Sequence, residues 1–124
     1  MSNSETLRIP PHSPTAEQGV LGAILSNNKL FDAVAPILND GDFYSRAHGL
    51  IYRAITEMIG SGRAVDLITL PDFLMHKQWL EDVGGDTYVY ELVRNVPSTA
   101  NLMTYANTVR NRSLQRQAIA ATHD

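Results

Sequence analysis

A chain of 124 residues, 44% hydrophobic and 19% charged, has room for one domain of ordinary size, able to bury roughly two thirds of the surface its unfolded form exposes. No apolar run approaches the roughly 20 residues that span a bilayer, and the opening "MSNSETLRIPPHSP" lacks the basic region and apolar block of a secretory signal. With no cysteine, disulfides and thiolate metal sites are excluded, which fits a reducing cytoplasm.

Residues 1–12 are polar and proline-rich, with nothing periodic to bury, and read as a flexible arm. Order is expected from Ser13, a good N-cap, followed by Pro14 at the first helical position, where a missing N–H costs nothing. Val20, Leu21, Ile24 and Leu25 then mark an apolar stripe on a helix ending near Asn27-Asn28. A short second helix over about Leu30 to Leu38 runs into "NDGD", a turn cluster that stops it. A third begins near Arg46, turns Leu50, Ile51, Ile55, Met58 and Ile59 inward, and ends at Gly60-Ser61-Gly62.

The segment "VDLITLPDFLMHKQWL" supplies a fourth helix, with Leu70, Phe73 and Leu74 as its buried face and Pro71 in the first turn. Thr69 with Asp72 three residues on resembles a capping box. Strict alternation of polar and apolar residues never runs beyond four or so, so a sheet is not expected. The fold class is all-α: a globular helical head of about four helices over residues 13–83, then a helical hairpin over 84–124.

Between the two stands Gly84-Gly85. A phosphate loop needs spaced glycines followed by Lys-Ser or Lys-Thr, and a dinucleotide fingerprint needs a preceding strand and a third glycine. "DVGGDTY" has no lysine, follows a helix and sets Asp86 where an anion would sit. The pair therefore reads as a hinge, since glycine reaches positive φ without a Cβ penalty.

Beyond the hinge, Tyr88, Leu92 and Val96 lie four apart, and Pro97-Ser98 closes that helix and caps the next. The last helix is expected from about Thr99 towards the end, with Leu102, Tyr105, Ala106 and Val109 on one face; it meets no glycine or proline stop, so the chain looks cut from a longer protein. So broad a stripe leaves apolar surface for a second subunit, with Tyr88, Leu92, Leu102, Tyr105 and Val109 as its contacts. Charge divides at the same place: residues 1–91 hold six Lys or Arg against twelve Asp or Glu, whereas residues 92–123 hold Arg94, Arg110, Arg112 and Arg116 and no acid. Those arginines are either a solvated helix face or a docking face for an acidic partner or nucleic acid.

Catalytic constellations are missing. His12, His48, His76 and His123 share no metal-ligand spacing, "NDGD" lacks the other ligands of a calcium loop, and no nucleophile motif accompanies the aspartates. His48, inside an apolar helix, reads as a hydrogen-bonded structural residue. Trp79, Tyr88, Tyr90 and Tyr105 are either a base-stacking surface or packing residues, and their helical spacing favours packing. A helical DNA-binding regulator is a second reading, although a recognition helix carries its Arg, Asn or Gln near the N-terminus and here the arginines sit in the far half.

Taken in succession, "PPHSPTAEQGVLGAIL", "DFYSRAHGLIYRAITEM", "VDLITL" and "VGGDTYVYELVRNVPSTANLMTYANTVRNRSLQR" resemble the N-terminal domain of the bacterial or phage replicative DNA helicase, the DnaB family, from about Pro10 to the end. Pro14-Thr15 and Gly19 depart from the family pattern, where an aliphatic residue with Glu and a larger residue are common. The resemblance implies a helical head and a hairpin that pairs with a neighbour's hairpin, in a collar of dimers on a six-membered ring that also offers a surface to the C-terminal domain of primase. It further implies that ATP and Mg2+ belong to an ATPase domain beyond a linker, that this chain takes no cofactor or metal, and that DNA is contacted mainly by the full-length ring.

Overall fold

A computed structural model describes residues 9–96 and 98–122, and every described regular element is helical. Residues 1–8 of the arm expected over 1–12, Pro97 and His123 lie outside the described residues, whereas Pro11 and His12 contact Arg116 and Tyr44.

Helix α1 (Pro14–Ser26) starts as its sequence requires: Ser13 is extended, its Oγ accepts the N–H of Ala16 at 3.2 Å, and Pro14 takes the first position. Rather than showing one apolar stripe, α1 is buried on almost every side, from Ala16 to Leu25 with only Gln18 exposed. It is the central helix of the domain, and a helix enclosed on all sides belongs in a core.

The short second helix is shorter than its pattern predicts. Asn27 caps a 3-10 turn over Asn28–Leu30, and α2 covers only Phe31–Val34. Pro36 explains the early stop, because it has no N–H to continue the ladder. "NDGD" folds as a 3-10 turn over Asp40–Asp42, in which Asn39 Oδ1 accepts the Gly41 N–H and Asp42 Oδ2 accepts the Asn39 N–H.

Helix α3 (Arg46–Gly60) is capped by Ser45 and buries Ile51, Tyr52, Ala54, Ile55 and Met58, while Leu50 and Ile59 are half-buried. Gly62, at φ 78°, closes it. Helix α4 (Thr69–His76) buries Leu70 and Leu74. Its cap differs from the predicted Thr69 and Asp72 box: Asp66 Oδ1 accepts the N–H groups of Ile68 and Thr69 at 2.9 and 2.8 Å, and Thr69 Oγ1 accepts from Asp66 N–H. The reciprocal box thus sits three residues earlier. These two amide bonds stabilise the charged carboxylate of Asp66 and lower its pKa.

Gly84 and Gly85 both have left-handed φ, 104° and 77°, as a redirecting turn requires. Helix α5 (Gly85–Arg94) follows, then a 3-10 turn over Thr99–Asn101 capped by Ser98, and finally α6 (Leu102–Thr122). Both α5 and α6 pack along α1. Two glycines of α1 permit the approach: a Cβ on Gly19 would lie 2.7 Å from the Tyr105 ring of α6, and one on Gly22 would collide with the Leu92 carbonyl oxygen of α5. Gly19 thus receives an aromatic ring.

Candidate partner-docking surface

Two buried polar networks, neither apparent from the sequence, fix the helices that carry the candidate residues. In the first, Glu17 of α1 and His48 of α3 are 2% and 4% exposed. Glu17 Oε1 lies 2.7 Å from His48 Nδ1, Oε2 accepts the Tyr44 N–H at 2.8 Å, and Oε1 also accepts from Ser45 N–H. A carboxylate only accepts, so the imidazole donates from Nδ1 and turns Nε2 to the Tyr88 hydroxyl of α5. Gln18 donates to the same hydroxyl. His48 is thus the hydrogen-bonded structural residue that its helix position suggested. Tyr88, expected to contact a second subunit, points its hydroxyl inward and stacks its ring on His48.

The second network joins α6 to the "NDGD" turn. Asp42, 2% exposed, accepts at Oδ1 from Arg110 Nη1 at 2.8 Å and from Ser113 Oγ at 2.7 Å. Arg116 donates to the carbonyl oxygens of Asp42 and Pro11 at 2.7 and 2.8 Å and lies over the Tyr44 ring, which also stacks on His12. Arg110 and Arg116, read as part of either a solvated face or a docking face, are therefore tied into the chain as struts. Arg94, 3.6 Å from Glu91, is exposed and Arg112 is half-exposed. Carboxylates Asp42 and Asp40 also bear on Tyr52, whose phenol is pushed up to about 12, by burial first and by their charge second.

The apolar contacts predicted for a second subunit are largely used within the chain. Leu92, Leu102 and Val109 are buried against the core, and Tyr105 is half-buried over Gly19. The reason is that α1 covers both helices, where they were expected to shield only each other. What α5 and α6 leave exposed is a different set: Tyr90, Met103, Leu114 and Ile119.

One cleft, about 700 Å³, is lined by His12, Tyr44, Tyr88 and Gly84 together with Glu81, Asp82 and Glu91, and by no Lys or Arg. The acids of such a lining disfavour anions. Among the described residues no group of His, Asp and Glu is arranged to hold a metal ion, and no helix is long and apolar enough to cross a membrane.

These features define a class: an all-helical domain around one central helix, with its buried ionisable groups committed to holding helices together. Over residues 9–111 the sequence matches the family described as "DnaB-like helicase N terminal domain", and the chain belongs to that family. It is 41% identical over 116 residues to "Replicative DNA helicase DnaB" of Pasteurella multocida (strain Pm70), which covers 94% of this chain and 25% of that protein. The protein of the same name from Geobacillus stearothermophilus is 39% identical over 119 residues, covering 96% of this chain and 26% of the relative. The chain thus spans about a quarter of the length of the curated relatives it matches. The crystal structure of the N-terminal domain of DnaB helicase from Mycobacterium tuberculosis has the same fold, with a TM-score of 0.89 and 35% identity over 93% of this chain and 83% of that one.

Proposed function

We propose that this chain is the oligomerisation and primase-docking domain of a replicative ring helicase that unwinds DNA at the replication fork in the cytoplasm. The match of sequence and fold to the N-terminal domain of DnaB carries the reading. In this reading the domains form a collar of dimers on a six-membered ring, and the C-terminal domain of primase docks on the collar. ATP and Mg2+ serve an ATPase domain, the full-length ring contacts DNA, and this chain takes no cofactor. The glycine pair Gly84-Gly85, with both residues in the left-handed region, is the hinge that sets how α5 leaves the head.

The exposed Tyr90, Met103, Leu114 and Ile119 of α5 and α6 support self-association, because apolar side chains of that size gain from burial against a partner. Sedimentation across concentration tests it: the chain is expected to self-associate, and Met103→Asp with Leu114→Asp to weaken that association while helicity by circular dichroism is retained. Val109→Asp, in the core, should instead lose helicity. Adding the C-terminal domain of primase should shift the sedimentation of the wild-type chain. A chain that stays monomeric throughout and ignores the primase domain refutes the proposal.

A further inference from the structure

The seam between α1 and α5 opens outward as an acidic groove. The cleft of about 700 Å³ continues into a second of about 390 Å³, because Gln18, Tyr88 and Glu91 line both. Together the two run beside α5 from Gly84 to Asn95, a rise of roughly 16 Å at about 1.5 Å per residue. That is the length of about five extended residues. Neither cleft is lined by a Lys or Arg.

The oxygens of this groove are short of donors. Glu81 and Asp82 are exposed and form no ion pair among the described residues, while Glu91 has only the exposed Arg94, at 3.6 Å. Gln18 gives one amide hydrogen to the Tyr88 hydroxyl at 3.2 Å, and Asn95 gives one to Glu91 Oε1 at 2.9 Å. Each amide therefore keeps one hydrogen and a carbonyl oxygen that meets no donor among the described residues, the complement of a peptide group. Behind them the wall is fixed, since the buried pair Glu17 and His48 holds the Tyr88 hydroxyl. The Tyr44 and Tyr88 rings already stack on His12 and His48, so they bound the groove and recognition falls to the oxygens.

We infer that this groove binds an extended basic segment of a partner protein, its cationic side chains on Glu81, Asp82 and Glu91 and its backbone on the amides of Gln18 and Asn95. In an extended chain alternate side chains face the same way, so the segment carries Arg or Lys at every second position. A guanidinium fork suits the carboxylates. A metal ion needs converging ligands, and among the described residues no group of His, Asp and Glu is so arranged. A polyamine matches the charge but has no carbonyl groups to accept from the two amides. The net charge of −3 adds long-range attraction for a cationic segment. Tyr90, Met103, Leu114 and Ile119 line neither cleft, so binding here is independent of the self-association proposed above.

The probe is a fluorescently labelled peptide, Arg-Ala-Arg-Ala-Arg with blocked ends, followed by anisotropy. Saturable binding is expected, weaker at about 500 mM salt than at about 50 mM, with none for Gln-Ala-Gln-Ala-Gln. Asp82→Asn should weaken it about two- to five-fold, the range for an exposed ion pair, and Gln18→Lys, which sets a cation in the groove, should abolish it. Asp32→Asn removes the same charge from the exposed side of α2, outside the groove, and should bind as wild type. Circular dichroism checks that each variant keeps its helicity. Absence of saturable binding at low salt overturns the inference, as does wild-type affinity in Gln18→Lys. Equal weakening by Asp32→Asn and Asp82→Asn marks diffuse attraction to an acidic surface and also overturns it. Spermidine, which carries the same charge as the peptide, overturns it too if it displaces the peptide at equal concentration, because the groove would then be a polyamine site.

Discussion

Gly22 and Gly60 are both helical glycines, yet their surroundings assign opposite consequences to the same substitution. A methyl group on Gly22 meets the carbonyl oxygen and carbon of Leu92 and the Cβ of Val96, whereas one on Gly60 meets nothing within 4 Å. Alanine gains roughly 0.5–1 kcal/mol over glycine in a helix from backbone entropy. Forcing atoms into a packed seam costs typically 1–3 kcal/mol. Gly60→Ala is therefore expected to raise thermal stability slightly, and Gly22→Ala to lower it by about 1–2 kcal/mol net and to loosen α5. Thermal denaturation of the two variants beside the wild type decides it, and equal stabilities would mean that the α1–α5 seam has slack. The role of another glycine of α1 was not readable in advance: Gly19 was read only as a departure from the family pattern, because its partner, Tyr105, is 86 positions away in sequence.

Among the elements, what repeats within three or four residues was legible and what spans the chain was not. Ser13 and Ser98 cap the helix and the turn where their sequence neighbours said they would, and Gly62 closes α3. At Thr69 the local signal was ambiguous, because two acids, Asp66 and Asp72, lie three residues to either side and only geometry chose Asp66. Burial of the stripe on α5 and α6 was legible as a stripe, but its partner was not, since periodicity shows a face and never what covers it. The link from Asp42 to Arg110 and Ser113 left no signal in a single sequence, and it governs α6. Asp42→Ala would leave the buried Ser113 hydroxyl without its acceptor and Arg110 without its carboxylate. Removing one member of such a pair costs roughly 3–5 kcal/mol when fully buried, and somewhat less here because Arg110 is half-exposed. The expected result is a lower melting temperature with amide exchange accelerated first over residues 110–122. Arg112→Ala, half-exposed and outside that network, should stay within about 0.5 kcal/mol of wild type. Comparable exchange in the two variants would show that α6 is held by its apolar contacts alone.

For the whole molecule, the raised pKa of Tyr52 makes the fold sensitive to alkali, and the lowered pKa of Asp66 adds a small dependence on acid. Tyr52 is 2% exposed, donates its hydroxyl to the Leu38 carbonyl at 3.0 Å and packs against Phe31 and Phe43, so α2, α3 and the turn between them share it. Its phenol is pushed up to about 12, by burial first and then by Asp42 and Asp40. Unfolded, the same phenol ionises near 10. Below pH 10 both states hold the proton and stability is unaffected; between about 10 and 12 only the folded state holds it, so the unfolded state gains with every step of pH. The loss over that window is roughly 2–3 kcal/mol, a large share of the stability of a domain this size. At the acid end the sign reverses. Asp66 has a lowered pKa, so its cap contributes above about pH 4 and fades as pH falls through the folded value, with only a small effect because the group is exposed. Equilibrium unfolding in urea at pH 9, 11 and 12 (values chosen to bracket the roughly 10 to 12 window) should give a midpoint that drops steeply, and Tyr52→Phe should flatten the drop. The variant loses the bond to Leu38, at about 1 kcal/mol, so its midpoint starts lower at pH 9 and meets the wild type's as pH rises. Parallel decline of the two proteins would assign the alkaline limit to other groups.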